Sequence, residues 1–186
     1  MPSRSKIAFL LLLCGILLAA CGDDGAGNPE SAAVDYDKAL TGAPPKLAAL
    51  YAQGDAVLPG GLGAYEEKLD ELRGTPTVVN VWASWCGPCR FEFPYFQQVA
   101  AEDGDEVAFL GVLTEDEEPN ARDFLEQLPL PYPSIDDPDK EILRELGGVG
   151  PPITAFYDRG GELAFVHHGP YSSADDLRAD IDRYTG

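Results

Sequence analysis

Two cysteines, Cys86 and Cys89, end the apolar run Val78-Val79-Asn80-Val81-Trp82-Ala83-Ser84-Trp85-Cys86-Gly87-Pro88-Cys89-Arg90. Thiols at this spacing can grip a metal, staple the chain or exchange disulfides. A structural zinc needs four ligands, and the histidines that could complete a set, His167 and His168, are adjacent rather than three to five residues apart. A staple across so short a loop removes little chain entropy. Exchange chemistry fits best. A buried strand that hands over to a helix at Trp85-Cys86 puts Cys86 at the helix N-terminus, where unpaired N–H groups and the helix dipole favour a thiolate. Cys89 falls one turn inside, on the same side and more enclosed. Cys86 would attack a partner disulfide, and Cys89 would then resolve the mixed disulfide.

The cysteine count depends on the N-terminus. Arg4 and Lys6 precede an apolar stretch, Ile7 to Leu18, that ends at Ala19-Ala20, so residues 1–20 read as an export signal too short for a comfortable membrane span. Leu18-Ala19-Ala20-Cys21 resembles a bacterial lipobox, whose cysteine is acylated and becomes the mature N-terminus. An ordinary signal cleaved nearby and an uncleaved anchor are the alternatives. With Cys14 in the signal and Cys21 carrying lipid, Cys86 and Cys89 are the thiols left for chemistry outside the cytoplasm.

The 186-residue chain carries a formal charge of −19, and loss of Arg4 and Lys6 makes the mature part more negative still. Such an excess argues against nucleic acid or an anionic membrane surface as a direct partner and favours solubility or basic partners. Residues 21–45 are rich in Gly, Ala, Asp and Pro without apolar period and read as a solvated tether. One domain, residues 46–186, follows; a monomer with no cofactor and no metal is expected.

Within that domain, short helices are expected over residues 46–51 and 64–72, then a β-branched run, Thr77 to Trp82, without alternation, as in a strand covered on both faces. A helix over 88–101 with an interruption at Pro94, a strand over 107–113 and helices over 120–128 and 138–146 come next. Strands over 153–157 and 163–167 flank the turn Asp158-Arg159-Gly160-Gly161, and Ser173 caps a last amphipathic helix carrying Leu177 and Ile181. This order implies an α/β fold with a mixed sheet sandwiched by helices.

The segment Val78 to Phe96, "VVNVWASWCGPCRFEFPYF", resembles the active-site segment of the thioredoxin-like fold, and within it the TlpA/ResA-like thiol-disulfide oxidoreductases. "PITAFYDRGGELAF", Pro152 to Phe165, is similar to that family's cis-proline, strand and hairpin, and the resemblance covers residues 64–186. It implies Cys86 as nucleophile, Cys89 as resolving thiol and Pro152 as the cis-proline facing them, although Pro151-Pro152 leaves the position open by one residue. Trp85, Gly87 and Pro88 would line the site. Asn80 stands where cytoplasmic thioredoxins carry a proton-handling aspartate, a role Asn cannot take. Glu92 matches a glutamate that the subfamily places beside the dithiol, where it could accept the Cys89 proton; a solvated first-turn carboxylate is the alternative. The resemblance also implies protein disulfide or dithiol substrates, a membrane thiol reductase as electron donor, and a reducing role such as supplying apocytochrome c before haem attachment. An oxidant and a tethered binding module are the rival functions.

Other polar positions invite plainer readings. Trp82 is expected in the core, His167 and His168 as structural histidines with one facing solvent, and Arg90 either on the surface or lowering a thiol pKa. Glu115-Asp116-Glu117-Glu118 reads as a solvated loop, and the Phe91, Phe93, Tyr95 and Phe96 cluster as helix packing, with one or two rings lining a partner groove.

Overall fold

The computed structural model describes Tyr36 and residues 40–185. The export segment, Cys21 and most of the 21–45 tether lie outside the described residues. Six strands form one sheet in the order β1-β4-β3-β2-β5-β6. They are β1 (Val57–Leu58), β2 (Thr77–Trp82), β3 (Ala108–Thr114), β4 (Ser134–Asp137), β5 (Ile153–Tyr157) and β6 (Leu163–His168). The first four positions run parallel, whereas β5 lies antiparallel to β2 and β6 antiparallel to β5. The mixed sheet expected from the sequence is therefore present, with two more strands, β1 and β4, than the apolar runs disclosed.

Every residue of β2 and β3 is buried, which explains why neither strand alternates: each is covered on both faces. One face takes α3 (Gly87–Asp103), α4 (Glu118–Leu125) and α6 (Ala174–Tyr184). There Phe93 of α3 and Phe124 of α4 pack on Trp82 with ring centroids 5.2 and 5.4 Å away, and Phe96 of α3 meets Tyr171 just before α6. The other face takes α2 (Gly61–Leu72), whose Tyr65 hydroxyl lies 2.7 Å from that of Tyr157, and α5 (Glu141–Glu145), which packs on α2. A short α1 (Pro45–Tyr51) precedes them, its Tyr51 hydroxyl donating to the Val107 carbonyl at 2.6 Å.

Three expectations change. Pro94 does not interrupt its helix: α3 runs unbroken from Gly87 to Asp103 with the proline inside. A helix-interior proline costs about 3 kcal/mol, but the buried Phe93 and Phe96 on either side hold both halves to the sheet. The helix expected over 138–146 begins only at Glu141, because Lys140 takes a left-handed φ of 59° and the Asp137 carboxylate caps the amides of Ile142 and Leu143 at 3.2 and 3.0 Å. Packing also starts upstream of residue 46: the Tyr36 hydroxyl donates to the Pro129 carbonyl at 3.3 Å, and Leu40 and Ala43 lie against the core.

Candidate active site

The strand β2 ends at Trp82, and the chain turns through Ala83, Ser84 and Trp85 before α3 begins at Gly87. Cys86 is the N-cap of α3 in extended conformation, as the sequence anticipates, and Pro88 occupies the first turn, where no N–H is needed. Cys86 and Cys89 are joined in a disulfide. The Cys86 sulfur accepts the Cys89 amide at 3.1 Å, so the sulfur takes the capping role that an oxygen fills in other helices. Cys86 retains 3% exposure and Cys89 none, so Cys86 is the less enclosed of the two residues.

The cis peptide bond lies between Pro151 and Pro152, which settles the one-residue ambiguity in favour of Pro152. Because β5 begins at Ile153, opposite Val81 of β2, Pro152 enters the sheet beside the end of β2 that leads to the cysteines. The segment before it is open: Val149 is fully exposed. A side-chain carbon at Gly150 would lie 3.8 Å from Glu115, which brings this loop next to the β3–α4 loop.

Glu92, one turn beyond Cys89 on α3, is fully buried. Its Oε1 accepts from Asn80 Nδ2 at 3.0 Å and its Oε2 from the Tyr171 amide at 2.9 Å. Burial pushes its pKa up to about 7, with the Tyr171 and Asn80 hydrogen bonds pulling the other way. The solvated first-turn alternative is thereby excluded: this is a carboxyl group poised to change protonation near neutrality behind the dithiol. Asn80, unable to titrate, instead orients the carboxylate that does.

Trp85 is 59% exposed, a platform as expected, and its indole N–H donates to the Glu115 carbonyl at 2.8 Å. Trp82 is buried, its indole N–H donating to Ser134 Oγ at 2.9 Å. Only glycine fits at 111, because a side-chain carbon there would come within 2.1 Å of that hydroxyl. Arg90 lies with its guanidinium 4.5 Å over the Phe124 ring and donates to the Ser84 carbonyl at 3.3 Å, so it secures the turn before Cys86. Phe91 is exposed and meets Tyr95 edge-on, while Phe93 and Phe96 are core. His168 is exposed and His167 half-buried, stacked 4.2 Å from the Tyr171 ring.

The acidic run is more than a solvated loop. Asp116 accepts the Ser84 amide with one oxygen and the Glu117 amide with the other, Glu115 pairs with Lys140, and Glu118 already belongs to α4, paired with Arg122. Glu115 and Lys140 both sit at left-handed φ, 54° and 59°, so two loops are pinned to the active-site turn by groups whose spacing in sequence gives no hint of it. Among the described residues no cluster of His, Cys, Asp or Glu could hold a metal ion, and no helix is long and apolar enough to cross a membrane.

A six-stranded mixed sheet with a dithiol capping the helix after its central strand, and a cis-proline entering the neighbouring strand, defines the thioredoxin-like class. The family model described as Redoxin matches residues 55–181, and the chain belongs to that family. It is 34% identical over 121 residues to the thiol:disulfide interchange protein DsbE of Allochromatium vinosum, covering 63% of this chain and 66% of that protein. Thiol-disulfide oxidoreductase ResA of Oceanobacillus iheyensis is 30% identical over 129 residues, covering 64% and 67%. Among solved structures, a secreted Mycobacterium tuberculosis disulfide oxidoreductase described as homologous to E. coli DsbE matches with a TM-score of 0.55 at 26% identity, over 61% of this chain and 85% of that one. The match spans between 51% and 66% of the length of the first three curated relatives.

Proposed function

We propose that the protein is a thiol-disulfide oxidoreductase that passes two electrons between Cys86/Cys89 and disulfides of protein substrates. The observation that carries this reading is the Cys86–Cys89 disulfide at the N-terminus of α3, with the less enclosed cysteine as the cap and a buried carboxyl one turn beyond the other. In the dithiol form, the Cys86 thiolate attacks a client disulfide; one client sulfur leaves as a thiolate and the other stays bonded to Cys86. Cys89 loses its proton to Glu92 and attacks Cys86, which re-forms the internal disulfide and releases the second client thiolate. The client gains two electrons and the protein is oxidised. Pro152 and the exposed Trp85 would receive the extended client backbone while Gly87 and Pro88 keep the helix entrance clear of bulk.

The working direction in this reading is reduction, as for ResA-like proteins, with electrons from a membrane thiol reductase and clients such as apocytochrome c before haem attachment. The domain would act outside the cytoplasm as a monomer, held to the membrane by lipid on Cys21. The mycobacterial relative's description as secreted supports the compartment, and the signal and lipobox pattern of residues 1–21 supports the anchor. The test is insulin reduction by the dithiothreitol-charged protein together with its reduction potential. Turnover with a potential near about −270 mV supports a reductase; a potential near about −120 mV means an oxidant, and no turnover removes the enzymatic reading.

A further inference from the structure

Among the described residues, three buried side-chain polar atoms have no hydrogen-bond partner within the protein: Asn80 Oδ1, Thr154 Oγ1 and Tyr132 Oη. Buried polar groups are nearly always satisfied, so two orphans on neighbouring strands call for a physical account. Asn80 and Thr154 are direct cross-strand partners in the β2–β5 ladder, and Thr154 is in turn the partner of His167 in the β5–β6 ladder. Directly opposed residues share a sheet face, with Cβ atoms about 4.5–5.5 Å apart. The three side chains therefore form one polar row under α3 and α6. It starts at Glu92, which Asn80 contacts, and ends at the half-buried His167.

We propose that this row, Asn80–Thr154–His167, is the proton route of the dithiol: water held by Asn80 Oδ1 and Thr154 Oγ1 carries the proton that Glu92 takes from Cys89 to the His167 imidazole and so to solvent. This rests on the oxidoreductase reading, because a proton must leave Cys89 each time the internal disulfide forms and return each time it is reduced. Glu92 takes it at a carboxylate oxygen. Water and the Thr154 hydroxyl each pass one proton on and receive one back, and a ring nitrogen of His167 delivers it outside. No electrons move in these steps.

The surroundings suit such a passage. Glu92 lies one turn after Cys89 on the same helix, meets the Asn80 amide from β2 and the Tyr171 amide from the β6–α6 loop, and has the Tyr132 hydroxyl within its field. A pKa of about 7 lets it accept and release a proton at physiological pH. At the outer end, His167 stacks on Tyr171 and its Nδ1 is 3.8 Å from Asp180 Oδ2, which also accepts the Tyr171 hydroxyl at 2.7 Å. A groove of about 340 Å³ lined by His167, Tyr171, Ser172, Asp176 and Asp180 opens there to solvent. Glu92 itself is fully buried, and the row gives its proton a polar path to that groove.

The test follows single-turnover oxidation of the reduced full chain by oxidised glutathione, over roughly pH 5 to 9 in H2O and D2O, for wild type, Thr154→Val, Thr154→Ser and His167→Gln. Valine matches threonine in shape, so melting temperature should hold while ring closure slows about tenfold, less than the ~10²-fold expected on losing a direct base because Glu92 remains. The solvent isotope effect should rise, Thr154→Ser should restore the wild-type profile, and His167→Gln should show a smaller slowing. If Thr154→Val proves less stable than wild type, the half-exposed His167→Gln decides. Wild-type rates and isotope effects in both Thr154→Val and His167→Gln would overturn the route, as would equal slowing by Thr154→Ser. A wild-type protein that does not react with the disulfide removes the oxidoreductase reading and the route with it.

Discussion

The two flanks of the dithiol are built from the same residue types to opposite ends. On the outer flank, Glu115, Asp116 and Lys140 are ionic, partly hydrated and engaged with backbone or with each other, and they hold the turn that presents Trp85 and Cys86. On the inner flank, Glu92 is buried away from bulk solvent, accepts from neutral donors, and has its pKa pushed up to about 7 by burial. A carboxylate in water stays charged and can serve as a fixed strut. A carboxylate out of water becomes a proton acceptor whose charge depends on what happens beside it. The difference teaches that solvent access divides scaffold from chemistry here, since the outer carboxylates hold the turn before Cys86 and Glu92 follows Cys89 on its helix.

Changes at the cysteines should have the largest effects. Cys86→Ser is expected to lower insulin reduction by at least about 10³-fold, as loss of a nucleophile does, while Cys89→Ser should leave attack intact and accumulate mixed disulfides visible on non-reducing gels. If neither variant alters turnover, the dithiol is not the redox centre of the protein.

Next comes Glu92→Gln, which keeps the shape and removes the titration. Resolution by Cys89 should slow by about 10²-fold at neutral pH, and the pH–rate limb near 7 should vanish. Stability should move the other way. The folded pKa of about 7 lies above the ordinary 4.5, so the native state holds a proton that the unfolded chain releases between those values. The Glu92 contribution to stability is therefore fully present below about pH 4.5 and is lost as pH rises through 7, by roughly 3 kcal/mol, whereas the glutamine variant lacks that component. Urea denaturation across the window reads this directly; parallel curves would mean that Glu92 is as hydrated as the outer carboxylates, and the contrast between flanks would collapse.

A third effect concerns the support of the inner flank. Gly111→Ala should cost about 1–3 kcal/mol, because the added carbon would displace Ser134 from the Trp82 indole. Thermal melting of the oxidised protein checks it, and the loss should be independent of pH, unlike that from Glu92.

How legible these flanks are in sequence follows from the range over which each is specified. The central strand, the helix after it and the placement of both cysteines are local: β-branched runs, a Pro in the first turn and a Cys at the cap are read within about ten residues. Burial of Glu92 is not local. It depends on the Tyr171 amide, 79 residues on, and on β5 and β6 closing over it, so residue type left buried and solvated readings equally open. Strand β4, "SIDD", carries one apolar residue, and β1 only two residues, so neither has a period to detect; their pairing with β3 and with each other makes them strands. The acidic run misleads in the opposite sense. Four carboxylates in a row read as a solvated loop, yet Asp116 finds the Ser84 amide because the chain returns from β3 to the same end of the sheet. Pro94 shows the limit of local rules most plainly, since tertiary packing of Phe93 and Phe96 outweighs the break that proline alone would make.

The smallest effects should come from the outer flank. Asp116→Ala leaves the half-buried Ser84 amide without its acceptor and should cost about 1–2 kcal/mol, with a slower approach of clients because the turn before Cys86 loosens. Lys140→Ala removes a partly exposed ion pair with Glu115, which solvent already screens, so it should change stability by less than about 1 kcal/mol and leave the pH–rate limb at 7 unmoved. Thermal melting in low and high salt, beside the pH profile of insulin reduction, separates the two outcomes. A Lys140→Ala variant that shifted the limb would mean that the outer charges reach Glu92 through the protein and set its titration, and the dithiol would then have one electrostatic environment rather than two.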